Sequence, residues 1–153
     1  MSFPRSQAGA PVAGEVSSVD MTGLVSNGPD RPIRLLVVDD DPRVRQAIAP
    51  TIALEPDLVI VAEAADAMTA LAFAEGTAPS VALVDVLLPD ELAGLALVRS
   101  LARRPGCAVV AMSVRGGLRH AALAAGAIAF VEKSGDVDAL LDAVRAAAAP
   151  PPV

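Results

Sequence analysis

LLVVDDDPRVR, Leu35 to Arg45, places three adjacent aspartates directly behind four apolar residues. Like charges side by side repel, and a helix cap needs only one of them. Asp41 meets that need, because Pro42 behind it suits the first helical position. Asp39 and Asp40 are left over. Either they are solvated turn residues, or something cationic belongs between them. The run ahead of them, IRLLVV (33–38), has the length and apolarity of a buried strand.

Four further runs share that character: LVIVAEA (58–64), VALV (81–84), AVVAM (108–112) and AIAFV (127–131). Near-continuous apolarity over so few residues marks strands covered on both faces, as in parallel sheets. Helical stretches alternate with them. The first opens at Asp41, a second runs from Asp66 to Glu75 with Gly76 as its stop, and a third covers Leu92 to Arg103. A short one lies around Leu118 to Ala125. The last, capped by Asp136, puts Val137, Leu140, Leu141 and Val144 on one face. Five strands alternating with five helices predict an α/β fold, a doubly wound five-stranded parallel sheet with helices on both faces. Pro50 falls inside the first helix, where it is expected to remove a hydrogen bond and kink the helix near Gln46.

The 153 residues are 54 % hydrophobic but only 2 % aromatic, so the core is built from Ala, Val, Leu and Ile. A net charge of -6 and a pI near 4.6 argue against a nucleic-acid surface, which needs clustered Lys and Arg. The single cysteine, Cys107, excludes an internal disulfide and a cysteine-based metal cluster, and fits a reducing cytosol. No signal peptide is visible, and the apolar run AALAAGAIAFV (121–131) is too short to span a bilayer. A soluble, cytoplasmic protein with no membrane partner is expected. Residues 1–32, rich in Pro, Gly and Ser without periodicity, read as a disordered N-terminal extension, 33–149 as the folded domain, and 150–153 as a flexible tail.

Ligands of open parallel sheets bind beyond the carboxyl ends of the strands. Strand one ends in Asp39, Asp40 and Asp41, strand three in Asp85 and strand four in Ser113; Lys133 follows strand five closely. Glu63, at the end of strand two, is set aside as an ordinary loop residue. Each of the others has an ordinary explanation alone: a helix cap, a turn former, a solvated lysine. His120 and Cys107 lack ligand-spaced partners and are read as structural. What favours function is the joint placement of Asp39, Asp40, Asp85, Ser113 and Lys133 at one edge. Converging carboxylates repel unless a cation or proton intervenes, and hard oxygen ligands suit Mg²⁺. An aspartate can attack phosphorus to give an acyl phosphate, whose charge Mg²⁺, Lys133 and Ser113 could hold.

VVDDDP, VALVDVLLPD, VVAMS and AGAIAFVEKSG, in that order, resemble the receiver (response regulatory) domain of bacterial two-component response regulators, over residues 33–149. The resemblance implies a flavodoxin-like receiver fold with Asp85 as phosphoacceptor. It implies Asp39 and Asp40 as the acidic pair for Mg²⁺, with Asp85 and the backbone carbonyl of Leu87 as further ligands. Ser113 would be the switch hydroxyl, Phe130 the switch aromatic and Lys133 the phosphate-contacting lysine. EPDLVIVAEAADAMTALAF (55–73), and Lys133-Ser134 where many receivers have Lys-Pro, are closest to the receivers of LuxR-type helix-turn-helix regulators. The implied function is a stand-alone response regulator in a Mg²⁺-dependent phosphorelay. Its donor would be a histidine kinase or phosphotransfer protein, and its output protein contacts, with room for a homodimer. It would be no enzyme beyond its own phosphoryl transfer and dephosphorylation.

Gly94 stands one residue further from Asp85 than the family pattern has it, and the segment from Ser113 to Gly126 is shorter by a couple of residues. Pro50 interrupts the first helix, and the residues after Ala149 are expected to carry no effector domain. Two other readings stay open. A receiver-shaped module could bind a partner without phosphorylation, although such a module has no need of all five site residues. A Mg²⁺-dependent aspartyl phosphatase would need Asp-x-Asp on strand one and a cap domain, which DDDP and the chain length do not supply. Dinucleotide binding lacks its Gly-rich loop, and a DNA-binding regulator would need a second, basic module.

Overall fold

The three-aspartate stretch sits where strand β1 (Ile33–Val38) gives way to helix α1 (Pro42–Ala53). A computed structural model of the chain describes residues 31–133 and 136–149. The extension expected at 1–32, apart from Arg31 and Pro32, and the tail at 150–153 lie outside the described residues. After α1 the elements alternate: β2 (Leu58–Ala64), α2 (Ala67–Thr77), β3 (Val81–Asp85), α3 (Glu91–Ala102), β4 (Ala108–Ser113), α4 (Arg119–Ala125), β5 (Ala129–Glu132) and α5 (Val137–Ala148). All strand pairs are parallel, in the order β2-β1-β3-β4-β5. The winding direction reverses between β1 and β3, the switch point at which such sheets open a crevice.

Successive residues of a strand point to opposite faces, and here both faces are covered. Leu35 and Val37 of β1, Val81 and Leu83 of β3, and Val110 and Met112 of β4 pack with Ile48 and Ile52 of α1 and Leu141 and Val144 of α5. The intervening Leu36, Val38, Ala82, Val84, Val109 and Ala111 join residues of α2, α3 and α4. This explains the near-continuous apolar runs. Aspartates start four of the helices: Asp41, Asp66, Asp90 and Asp136 each accept a backbone N–H of the first turn. At the far end of the fold, Arg145 of α5 donates to both Asp57 oxygens at 2.8 Å and to Glu55 at 2.6 Å, fastening the last helix to the loop before β2.

Helix α1 contains Pro50, as expected, and runs on to Ala53. The amide that Pro50 lacks would have bonded the Gln46 carbonyl; both residues are exposed, so solvent is at hand for that carbonyl. The structure departs from expectation at two other boundaries. Helix α2 passes Gly76 and ends instead on Ala78, a left-handed residue with φ 47° whose amide donates to Ala74. Pro79 behind it offers no amide to extend the helix. Strand β5 starts at Ala129, later than AIAFV implies, because Gly126 (φ 119°) caps α4 and Ala127 and Ile128 form the connection.

Glycine at position 94 has a steric cause. A Cβ there would stand 1.5 Å from the carbonyl oxygen of Val86, so α3 begins in contact with the backbone that follows Asp85. At Gly76, by contrast, a Cβ meets nothing within 4 Å. Gly94→Ala is therefore expected to lower stability by about 3 kcal/mol or more, as overpacking against backbone does. Gly76→Ala should raise it by about 0.5–1 kcal/mol. Urea unfolding of the two variants checks both signs.

Candidate functional site

The carboxyl ends of β1, β3 and β5 bring four of the expected residues together. Asp39, 0 % exposed, follows β1; Asp85, 4 % exposed, ends β3; Lys133 follows β5. The Lys133 ammonium lies 2.6 Å from Asp39 Oδ2 and 3.1 Å from Asp85 Oδ2. One cation thus bridges two buried carboxylates that could not coexist there unpaired. Asp40 is exposed at the rim, and one oxygen from each of Asp39, Asp40 and Asp85 lies within 4.8 Å of the other two.

Backbone contacts set these positions. The Asp39 amide donates to the Ala64 carbonyl at 3.0 Å, prolonging the β1–β2 ladder, and Asp39 Oδ1 accepts the Asp41 amide at 2.9 Å. Asp85 Oδ1 accepts the Leu87 amide at 3.0 Å. The Lys133 amide donates to the Ser113 carbonyl at 2.9 Å, so β4 carries the lysine into reach. Ser113 itself is fully buried, one residue beyond Met112, the register partner of Asp85. Its Oγ accepts the Arg115 amide at 3.1 Å, and among the described residues it has no hydrogen bond to the carboxylates. Phe130 is buried with the α2–α3–α4 layer, and the Arg119 guanidinium lies 5.8 Å from its ring centre. Asp41 stands apart: it caps α1 and pairs with Arg43, which holds its carboxyl below the usual range.

Burial pushes the Asp85 carboxyl above the ordinary carboxylate range, against the Leu87 amide and Lys133, which favour its charge. Burial also works against the Lys133 ammonium, but Asp39 and Asp85 outweigh it and raise its pKa. Asp39 Oδ2 touches that ammonium, yet lies outside hydrogen-bonding alignment and has no other partner. That one ammonium is shared between two carboxylates, so the oxygen keeps room for a further cation. A buried, unfilled carboxylate oxygen beside two more carboxylates, one of them facing solvent, fits Mg²⁺, which takes hard oxygen ligands and keeps several waters. An apolar groove of about 500 Å³ opens beside Lys133, walled by Val44, Ile48, Val131 and Leu140 of α1, β5 and α5.

Sequence reasoning missed two residues here. Arg45 Nη1 donates to the Asp39 carbonyl at 2.6 Å, and its Nε lies 3.5 Å from Glu63 Oε1. Glu63, taken for an ordinary loop residue, therefore belongs to the surroundings of the site. The available signal was a basic residue one helical turn into a helix that begins on an acidic loop.

An open parallel sheet with buried acids and a lysine at its switch point defines a class of α/β protein in which phosphate and metal chemistry collect at the strand ends. Residues 35–145 match the response regulator receiver domain, and the chain belongs to that family. It is 36 % identical over 118 residues to the transcriptional regulatory protein UhpA of Salmonella typhimurium, covering 76 % of this chain and 59 % of that protein. It is 38 % identical over 78 residues to protein-glutamate methylesterase/protein-glutamine glutaminase 2 of Anaeromyxobacter dehalogenans, covering 51 % of this chain and 23 % of that one. Among solved structures, the response regulator domain of Thermotoga maritima CheB superposes with a TM-score of 0.71 at 27 % identity, covering 80 % of this chain and all of that one. A LuxR-family two-component response regulator from Aurantimonas sp. SI85-9A1 gives 0.69 at 30 % identity, with 75 % and 84 % covered. The fold is the flavodoxin-like receiver fold, and the likeness to LuxR-type receivers is borne out. The chain spans 59 % or less of the length of these two curated relatives. Among the described residues, no helix is long and apolar enough to cross a membrane.

The raised Asp85 pKa carries a sign for stability. Because the folded state favours the protonated form, Asp85 costs stability as pH rises from its unfolded value through its folded one. Asp85→Asn removes that cost while keeping an acceptor for the Leu87 amide. Its thermal midpoint should exceed the parent's at pH 7, and the gain should vanish below about pH 4, where Asp85 is protonated in both states. A series of melts across that range checks the prediction.

Proposed function

We propose that this receiver accepts a phosphoryl group on Asp85 in a Mg²⁺-dependent phosphorelay, from a histidine kinase or a phosphotransfer protein. The observation that carries the reading is Asp85 itself, buried at the end of β3 with Lys133 at 3.1 Å and oxygens of Asp39 and Asp40 within 4.8 Å. An Asp85 oxygen attacks phosphorus, the bond to the donor's imidazole nitrogen breaks, and an acyl phosphate forms. Asp39, Asp40, Asp85 and the Leu87 carbonyl would hold Mg²⁺, whose charge would offset that of the phosphoryl oxygens. Lys133 and the Ser113 hydroxyl donate to the remaining oxygens. A donor seated on the apolar groove between α1 and α5 has Lys133, and behind it Asp85, within reach. The receiver acts in the cytoplasm and signals through protein contacts.

One observation favours a second reading, in which the module binds its partner without phosphorylation. Phe130 is already buried, and the Ser113 hydroxyl is already engaged by the Arg115 amide. If that arrangement is the output state, the surface of α4, β5 and α5 needs no phosphoryl group to form.

Incubation with acetyl phosphate and Mg²⁺, followed by intact mass, should add one phosphoryl group to the parent and none to Asp85→Asn. Asp40→Ala should require more Mg²⁺ for the same labelling, since it removes a carboxylate from the metal's ligands. Labelling that persists in Asp85→Asn would refute the phosphoacceptor assignment. Amide shifts with beryllofluoride separate the two readings: changes clustered at 113–118 and 128–133 indicate a phosphorylation switch, and changes confined to the acidic site indicate the second reading.

A further inference from the structure

We infer that Arg45 is a positioning residue for the acidic site: its guanidinium fixes the peptide between Asp39 and Asp40 and so aims the Asp40 carboxylate at the metal position. The inference rests on the reading of Asp39, Asp40 and Asp85 as Mg²⁺ ligands. Arg45 projects from the first turn of α1, is largely buried, and reaches back under the acidic loop. Its Nη1 donates to the Asp39 carbonyl oxygen at 2.6 Å, while its Nε faces Glu63 of the neighbouring strand at 3.5 Å.

The carbonyl it holds belongs to the Asp39–Asp40 peptide. A planar peptide whose oxygen is fixed has its N–H fixed as well, and this sets the direction in which Cα of Asp40 presents its side chain. Asp39 has other restraints: its amide is in the sheet ladder and its Oδ1 accepts the Asp41 amide. Asp40 has none of these. Its side chain is exposed and among the described residues accepts no hydrogen bond, so its placement depends on the backbone alone. Glu63 in turn holds the far side of the guanidinium and keeps the fork aligned, a geometry that Lys cannot copy.

Two roles for Arg45 predict opposite signs. A positive charge beside a cation site repels the cation, so an arginine acting only through its charge would weaken Mg²⁺ binding, and its removal would tighten it. An arginine acting by positioning strengthens binding, and its removal weakens it. Loss of a residue that orients a metal ligand typically costs ten-fold or more in affinity.

The test is a Mg²⁺ titration of the full chain, followed by the amide shifts of Asp41 and Leu87, because the sequence has neither Trp nor Tyr to report by fluorescence. Arg45→Ala should weaken Mg²⁺ about ten-fold. Arg45→Lys, which keeps the charge and loses the fork, should fall between it and the parent. Glu63→Ala should weaken binding less than Arg45→Ala. Melting in Mg²⁺-free buffer identifies any variant that fails to fold; should Arg45→Ala do so, Arg45→Lys decides. Binding as tight as the parent's in a folded Arg45→Ala, or in Arg45→Lys in its place, overturns the inference. Asp40→Ala is the control. If it too binds Mg²⁺ like the parent, the metal-site reading has failed and this inference fails with it; if it weakens binding while the Arg45 variants do not, only the role of Arg45 is lost.

Discussion

The Lys133 ammonium between Asp39 and Asp85 is the contact on which the upper edge of the molecule depends. Two carboxylates with no exposure worth speaking of cannot remain ionised beside one another without a cation. Bringing that cation to them requires β1, β3 and β5 to end at the same height, with β4 between β3 and β5 in matching register. The Lys133 amide, bonded to the Ser113 carbonyl, enforces that last step. Fold and site are therefore a single requirement. A one-residue slip of β5 would send the lysine to the other face of the sheet and leave the acids uncompensated.

The strand alternation also divides labour. Asp39, Asp85 and Lys133 continue the positions that pack toward α1 and α5, while Ser113 and Phe130 continue those that pack toward α2, α3 and α4. The acids and the lysine thus continue one face of the sheet, and the expected switch pair the other. They are connected through it, by the β4–β5 backbone that carries Ser113 and Lys133 in adjacent strands. Arg145, clamped by Asp57 and Glu55 at the opposite end, keeps α5 in place without touching either side of this division.

Much of this was legible in the sequence. The apolar runs match β1 and β2 to the residue, β1 because it is buried on both faces and β2 because its apolar run stays unbroken up to Glu63 and Ala64 although it lies at the sheet edge. Asp39, Asp40, Asp85 and Lys133 could be collected from strand ends alone, since a parallel sheet places all such ends along one edge. Local sequence misled at Gly76, where the stop belongs to Ala78 and the proline after it, and at Ala127, where a helix cap took residues that look like strand. Arg45, Glu63 and the Arg145 clamp were invisible for a different reason. They are contacts between elements far apart in the chain or side chains reaching backward, and no periodicity encodes them.

The layer beneath α2, α3 and α4 mixes leucine and valine with many alanines: Ala70, Ala74, Ala82, Ala111, Ala122 and Ala125 are all buried there. Phe130 is the one buried aromatic among the described residues. Alanine has no rotamers with which to fill a void. Moving the Phe130 ring out would leave a hole of the ring's own size, at a cost comparable to about 3–5 kcal/mol for deleting a buried phenylalanine, unless the backbone closes over it. Among the neighbouring helices, α4 is the short one, seven residues with no side-chain cap at its start. That void would open against α4, so the cost of moving the ring out depends on how far this short helix can follow it toward the sheet.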